Sequence, residues 1–339
     1  MNKRTGAAFA VLITAALLAA AGCSKTQSPT LKTPYVAEEL PICTEESHQW
    51  LAAISGDIVI WMDNRSGNWD IYGYNLSSDE EFTICTDNAN QYGPSISGDI
   101  VVWSDNRSGN LDIYGYNLSS STEFPICTDP ADQFRLSISG DNVVWEDQRD
   151  SSNEIESDIY GYNLSSSTEF AICNHPSWKW FPAVCGEIVV WMDKRNGSWD
   201  IYGFNLSSST EFSVCTNPSD QFWPAISGNI VVWVDQRNSS NEIESDIYGY
   251  NLSSSAEFPI CTNPYHQVLP ATSGDIIIWD DDRNGNRDIY GYYLSSSKEF
   301  AICTNSAYQW DSDISGDTVV WQDYRNGDPD IYGARLSFE

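Results

Sequence analysis

A unit of about 42 residues occurs seven times in this chain, and the repetition limits the fold more than any other feature. A Trp closing an apolar run recurs at Trp61, Trp103, Trp145, Trp191, Trp233, Trp279 and Trp321, with spacings of 42, 42, 46, 42, 46 and 42. An Ile/Val-Cys pair keeps the same six spacings through Cys43, Cys85, Cys127, Cys173, Cys215, Cys261 and Cys303. Two markers in one phase establish the repeat, and a period of this size belongs to solenoids, propellers or arrays. The two longer units share one insertion, Ser-Ser-Asn-Glu-Ile-Glu-Ser, at 151–157 and 239–245.

Each unit reads as four short strands separated by turn chemistry. Strand a ends in Ile54-Ser55, and Gly56-Asp57 makes a tight turn into strand b, Ile58 to Trp61, which is apolar throughout and so buried on both faces. Strand c runs from Asp70 to Leu76, and strand d from Glu81 to Thr86 alternates Phe82 and Ile84 inward. Strand d accepts Pro41, Pro125 and Pro259, which would cost a central strand a ladder bond, so it lies at an edge. Four antiparallel strands repeated radially describe an all-β, seven-bladed β-propeller. An orphan strand d, Glu39 to Cys43, precedes the first unit, and the last strand c, Asp330 to Leu336, has no d after it. The ring is therefore expected to close by lending the N-terminal outer strand to the last blade.

Charge and leader set the expected compartment. Lys plus Arg number 17 and Asp plus Glu 48, so the net charge is 17 − 48 = −31, which excludes a nucleic-acid partner. Residues 1–22 read as a signal peptide, with Lys3 and Arg4 ahead of an apolar stretch, Ala7 to Ala21, too short to span a bilayer. Ala20-Ala21-Gly22-Cys23 resembles the lipobox of prokaryotic lipoproteins, which makes Cys23 the expected lipid-attachment residue. Residues 23–36 are expected to be a flexible tether, and 37–339 the propeller. The chain is thus expected at the cell surface, held to the outer face of the cytoplasmic membrane by lipid alone.

The pattern Asp-Ile-Val-Val-Trp-x-Asp-x-Arg-x-Gly-Asn-x-Asp-Ile-Tyr-Gly-Tyr-Asn-Leu at 99–118 resembles the propeller repeats of archaeal, methanogen-type surface proteins. It is more distantly similar to the TolB-like, WD40-like repeats of bacterial periplasmic proteins. The resemblance covers about residues 37–339 and implies an exported propeller used for binding or as a scaffold.

Features present in every repeat read as structural. Mid-strand glycines such as Gly73 and Gly115 are expected to lie under a neighbouring blade's Trp. The b–c loop frame, Asp63, Arg65 and Asp70 in the first unit, reads as an ion pair and cap in preference to a Ca²⁺ site, because the Arg competes for the carboxylates. The seven equivalent Cys are too far apart on diverging outer strands to pair, and Cys185 stands where the other repeats have Ser. Asn-Leu-Ser at Asn75, Asn117, Asn163, Asn205 and Asn251 forms sequons on the c–d turns, so a glycoprotein is one reading. His48, His175 and His266 come from separate units, so no metal site is assigned.

Divergence inside the frame marks candidate binding residues. After each Cys, the d–a loop leads to an aromatic in six units, at Trp50, Tyr92, Phe134, Trp180, Phe222 and Trp310, with Val268 the exception. The next residue varies freely: Leu51, Gly93, Arg135, Phe181, Trp223, Leu269, Asp311. Trp223, Arg135 and Trp178 have no counterparts of their kind, and with Trp50, Tyr92, Trp180 and Trp310 they form the expected partner-binding set. With no nucleophile elbow or phosphate loop in the sequence, the expectation is a non-enzymatic binding or scaffold protein for a surface glycan, a peptide or an envelope protein, without catalytic residues or cofactors. A carbohydrate-active enzyme, glycosidase or lyase, with its site in the central funnel, using Asp311 and Asp313, and a structural envelope component are the competing readings.

Overall fold

The computed structural model describes residues 32–150, 156–239 and 244–339; the leader, Cys23 and most of both insertions lie outside the described residues. The described residues form twenty-eight strands, β1 to β28 in chain order, and no helix. They pair into seven four-stranded antiparallel sheets. In the first, β2 (Gln49–Ser55), β3 (Ile58–Asp63), β4 (Asp70–Asn75) and β5 (Glu80–Cys85) follow from inside to outside. Each innermost strand touches those of both neighbours, and the first touches the last, so the sheets close a seven-bladed β-propeller.

Strand b carries the core. Val59, Ile60 and Trp61 are fully buried, as are their six sets of equivalents, because both faces of β3 are covered by adjoining blades. The indole N–H of Trp61 donates to Asp63 Oδ2 at 3.1 Å, which satisfies the one polar atom of a buried ring. Asp63 also accepts the Arg65 backbone N–H at 2.8 Å and its guanidinium at 2.6 Å, and Arg65 reaches Glu81 at 2.6 Å while lying over the Tyr72 ring. The ion pair therefore runs from strand b across the loop to strand d. Asp70 stands apart from it, accepting from Ser66 Oγ and, at 2.6 Å, from Asn68 Nδ2.

The closure is made as expected: β1 (Pro34–Cys43) pairs antiparallel with β28 (Asp330–Phe338), outside β27 (Thr318–Asp323) and β26 (Gln309–Ser315). Arg325 meets Glu39 of β1 as every other loop Arg meets the Glu of its own strand d. One boundary differs from expectation, since Pro34, Tyr35 and Val36 are paired strand and not tether. β28 runs on to Phe338 where other c strands turn, and its added residues supply ladder partners for three more.

Gly73, Gly115 and their equivalents in the first six blades lie beneath a Phe of the same blade's strand d, and not beneath a neighbour's Trp, whereas Gly333 pairs with Leu40 of β1 and its nearest side chain is Ile42. A Cβ at Gly115 would stand 2.7 Å from two ring atoms of Phe124. The cause is register, since Gly115 pairs directly with Phe124 and the ring folds back over it. Gly115→Ala is expected to cost about 1–3 kcal/mol by overpacking, read as a lower urea midpoint, with Phe124→Leu in that background recovering most of the loss. An unchanged midpoint for Gly115→Ala would show that the ring does not depend on the glycine.

A second ring of contacts joins the blades. The Gly N–H of each a–b turn donates to the Ser Oγ ending the preceding blade's strand a, from Gly98 to Ser55 at 2.9 Å round to Gly56 to Ser315 at 3.0 Å. Cys185 takes the serine's place once and accepts from Gly228 at 3.2 Å. All eight described cysteines are free. Burial pushes the Cys43 and Cys85 thiols up to about 12, which keeps them protonated and inert.

Candidate functional site

Strand a contains an irregularity that builds the funnel mouth. Its pairing with strand b skips residues between Trp50 and Ala53, and the same break recurs in every blade. At each break one residue is left-handed, with φ of 54° at Leu51, 49° at Arg135, 53° at Phe181, 49° at Trp223 and Leu269, and 53° at Asp311. Only the second unit places the undemanding residue there, Gly93 with φ of 56°. A non-glycine residue in this region costs about 1–3 kcal/mol and persists only where its surroundings impose it. These seven positions are the freely varying ones, and they line a single cavity of ≈ 400 Å³ with the residues that follow them.

The cavity is not symmetric. Phe181 and Trp223 meet edge to face at 6.4 Å on one side, with Leu51, Leu136 and Leu269 continuing the apolar wall. Arg135 lies over Phe181 at 4.5 Å and pairs with Glu146 at 3.1 Å. Asp311, Ser312 and Asp313 supply the acidic side from the seventh blade. Asp313 accepts the Ile54 N–H at 2.9 Å, and burial raises its pKa to about 6. Asp311 accepts from Gln322 at 2.6 Å, and burial raises it too.

Behind this lining stands a position the sequence reading passed over, the residue after the repeated Trp. It reads Met62, Ser104, Glu146, Met192, Val234, Asp280 and Gln322. Four of these accept the N–H of the left-handed residue in the next blade: Met62 from Gly93 at 3.2 Å, Glu146 from Phe181 at 2.7 Å, Met192 from Trp223 at 3.3 Å, and Asp280 from Asp311 at 3.0 Å. Burial pushes Glu146 up to about 7 despite Arg135 beside it, and Asp280 well above the usual carboxylate range, where Asp311 adds a like charge. The detectable signal was a carboxylate inside an otherwise apolar strand.

The aromatic set divides. Trp223 and Arg135 reach the funnel mouth. Trp50, Tyr92, Trp180 and Trp310 precede the left-handed residue and point elsewhere by strand alternation. Trp50 stacks on Trp69 at 4.7 Å, Trp180 stacks on Trp199 at 4.6 Å, Tyr92 packs in the same cluster as Trp69, and Trp310 lies under Arg287 at 4.7 Å. Trp178 joins Trp180 and Trp199 on the fourth blade beneath Lys194. His48, His175 and His266 do not come together, and among the described residues no three His, Cys, Asp or Glu side chains converge on a metal position.

No protein-family model matches the sequence, and no curated protein matches it. Solved structures match at the level of fold. Oligogalacturonate lyase from Vibrio parahaemolyticus is 15% identical with a TM-score of 0.65, covering 87% of this chain and 91% of that one. Acylaminoacyl peptidase from Pyrococcus horikoshii is 11% identical with a TM-score of 0.65, over 86% of this chain and 51% of that one. TolB from Acinetobacter baumannii is 13% identical with a TM-score of 0.54, over 77% and 67%. These likenesses show the fold alone, a seven-bladed propeller with TolB among its structural neighbours. They also overturn the expectation of a non-enzymatic binding or scaffold role, because the same ring occurs in a lyase and in peptidases. That expectation rested on missing catalytic motifs, and a propeller assembles its sites from loops far apart in sequence, where no motif can form.

Proposed function

We propose that the funnel mouth is the substrate site of a carbohydrate-active enzyme taking a neutral oligosaccharide, with Asp313 as its proton-transfer group. The observation that carries this is the convergence of seven left-handed positions, six of them held by strained non-glycine residues, on one ≈ 400 Å³ cavity with an aromatic wall and an acidic one. A sugar's apolar face stacks on Trp223 and Phe181, while Arg135 and Asp311 bond its hydroxyls. A pKa of about 6 suits Asp313 to donate a proton near neutrality. An acidic sugar is disfavoured by Asp311, Asp313 and the net charge of −31, so the lyase's oligogalacturonate is not carried over. The leader and Cys23 support export and a lipid tether, which would present the site outside the cytoplasmic membrane.

The test is a panel of neutral oligosaccharides, scored by calorimetry for binding and by reducing-end release for turnover. Trp223→Ala and Arg135→Ala are expected to weaken binding at least about tenfold. Asp313→Asn, which keeps an acceptor for the Ile54 N–H, is expected to bind normally and lose turnover at least about a hundredfold. Wild-type turnover should fall as pH rises through about 6, because Asp313 acts protonated. Turnover undiminished in Asp313→Asn, or a panel with no binding at all, would defeat the proposal.

A further inference from the structure

A second cavity of ≈ 310 Å³ lies beside the funnel among the fourth, fifth and sixth blades. Four aromatic rings surround it, Trp180, Phe181, Phe222 and Trp223, with Met192 beneath. Its neighbourhood is the one unit where the repeated aromatic is replaced, by Val268. The rings are set at angles and do not stack: Trp223 meets Phe181 at 76° and 6.4 Å, and Phe222 at 43° and 5.7 Å. Faces inclined to one another form a corner, the arrangement in which several ring quadrupoles act on one cation.

From this geometry we infer that the cavity is an aromatic cage for a methylated ammonium group. Two further observations bear on the charge of the ligand. Among the described residues around the cavity there is no Lys or Arg to hold an anion and no carboxylate to demand a hydrogen-bonding ammonium; the polar groups are Gln236, Ser245 and His266. Ser245 is committed to the Gln267 carbonyl at 2.7 Å, and burial, with Arg287 nearby, lowers the pKa of His266 and favours its neutral form. A cation with no N–H to satisfy fits such walls, and the excess of 31 negative charges draws cations to the surface. The rings already serve this chemistry inside the molecule, since the Arg135 guanidinium lies 5.3 Å from Trp180 and 4.5 Å from Phe181. Arg135 itself is not among the residues around this cavity.

Phe181 and Trp223 line both cavities, so the cage is tested apart from the funnel proposal through Trp180 and Phe222, which do not line the funnel. The test compares choline with its neutral isostere 3,3-dimethylbutan-1-ol, of nearly the same shape, by calorimetry and tryptophan fluorescence on the whole chain. Choline is expected to bind at least about tenfold more tightly than the isostere. Phe222→Leu, which keeps apolar volume but removes the ring face, should erase most of that preference, and Trp180→Leu likewise. Trp50→Leu, at the matching position of the first blade, should leave the preference intact. Equal affinity for the two probes, no binding of choline, or a preference that survives both Phe222→Leu and Trp180→Leu would overturn the cage.

Discussion

A chain lacking residues 1–43 is expected not to hold its folded ring: the unfolding free energy should fall by more than about 5 kcal/mol, as much as many domains possess. β1 supplies the whole outer edge of the seventh blade, with partners from Pro34 opposite Phe338 to Cys43 opposite Ile331. Its Ile42 and Cys43 are buried in a cluster spanning the first and last blades, with Ile54, Trp61, Val320 and Ile331. Losing the strand therefore bares β28, opens that cluster and strips Arg325 of Glu39 together. Ile42→Asp should reproduce much of the effect in a full-length chain, because it buries a charge without a partner. Urea unfolding followed by circular dichroism decides the matter, and a synthetic 34–43 peptide added to the shortened chain should restore part of the loss. A shortened chain with an undiminished midpoint would mean that the ring closes some other way.

Asp105→Ala is expected to cost about 3–5 kcal/mol. Asp105 is fully buried and accepts from the Trp103 indole at 3.0 Å, the Arg107 N–H at 2.9 Å and the Arg107 guanidinium at 2.6 Å. Removing the carboxylate leaves a buried indole N–H unpaired and a guanidinium held only by Glu123. The charge gives a second readout. Arg107 and the Trp103 indole outweigh burial and hold the Asp105 pKa below its usual value, and Asp63 and Asp193 behave alike. A group with a depressed folded pKa stabilises the protein above its unfolded pKa of about 3.9 and loses that contribution as pH falls through the folded value. Wild-type protein should therefore lose stability steeply below about pH 4, and Asp105→Ala should flatten part of that slope. A flat acid profile in the wild type would refute this account of the loop.

The candidate site was half legible before the fold was known. The seven variable positions, Asp311 among them, stood out because duplicated units diverge where a shared structural duty is absent, and Asp313 stood out as a carboxylate in the last unit's strand a. That these positions are left-handed, and that Glu146 and Asp280 brace two of them from the adjoining blade, depended on a strand bulge and an inter-blade contact. Neither leaves a mark at fixed spacing. The expected packing of Trp over the mid-strand glycines failed for the same reason: which ring covers Gly115 is decided by the register between strands c and d.

Repetition in the chain was enough to establish the strands, their order within a blade, the count of seven, and the strand lent across the closure. These follow from hydrophobic period, turn residues and proline, which act over a few residues at a time. What faces the funnel, which acids burial pushes above their ordinary pKa, and where four aromatic rings enclose a second cavity were settled only by tertiary structure. Burial and the angle between rings depend on neighbours supplied by other blades, 31 to 47 residues along the chain for the bulge and clasp hydrogen bonds that join consecutive units.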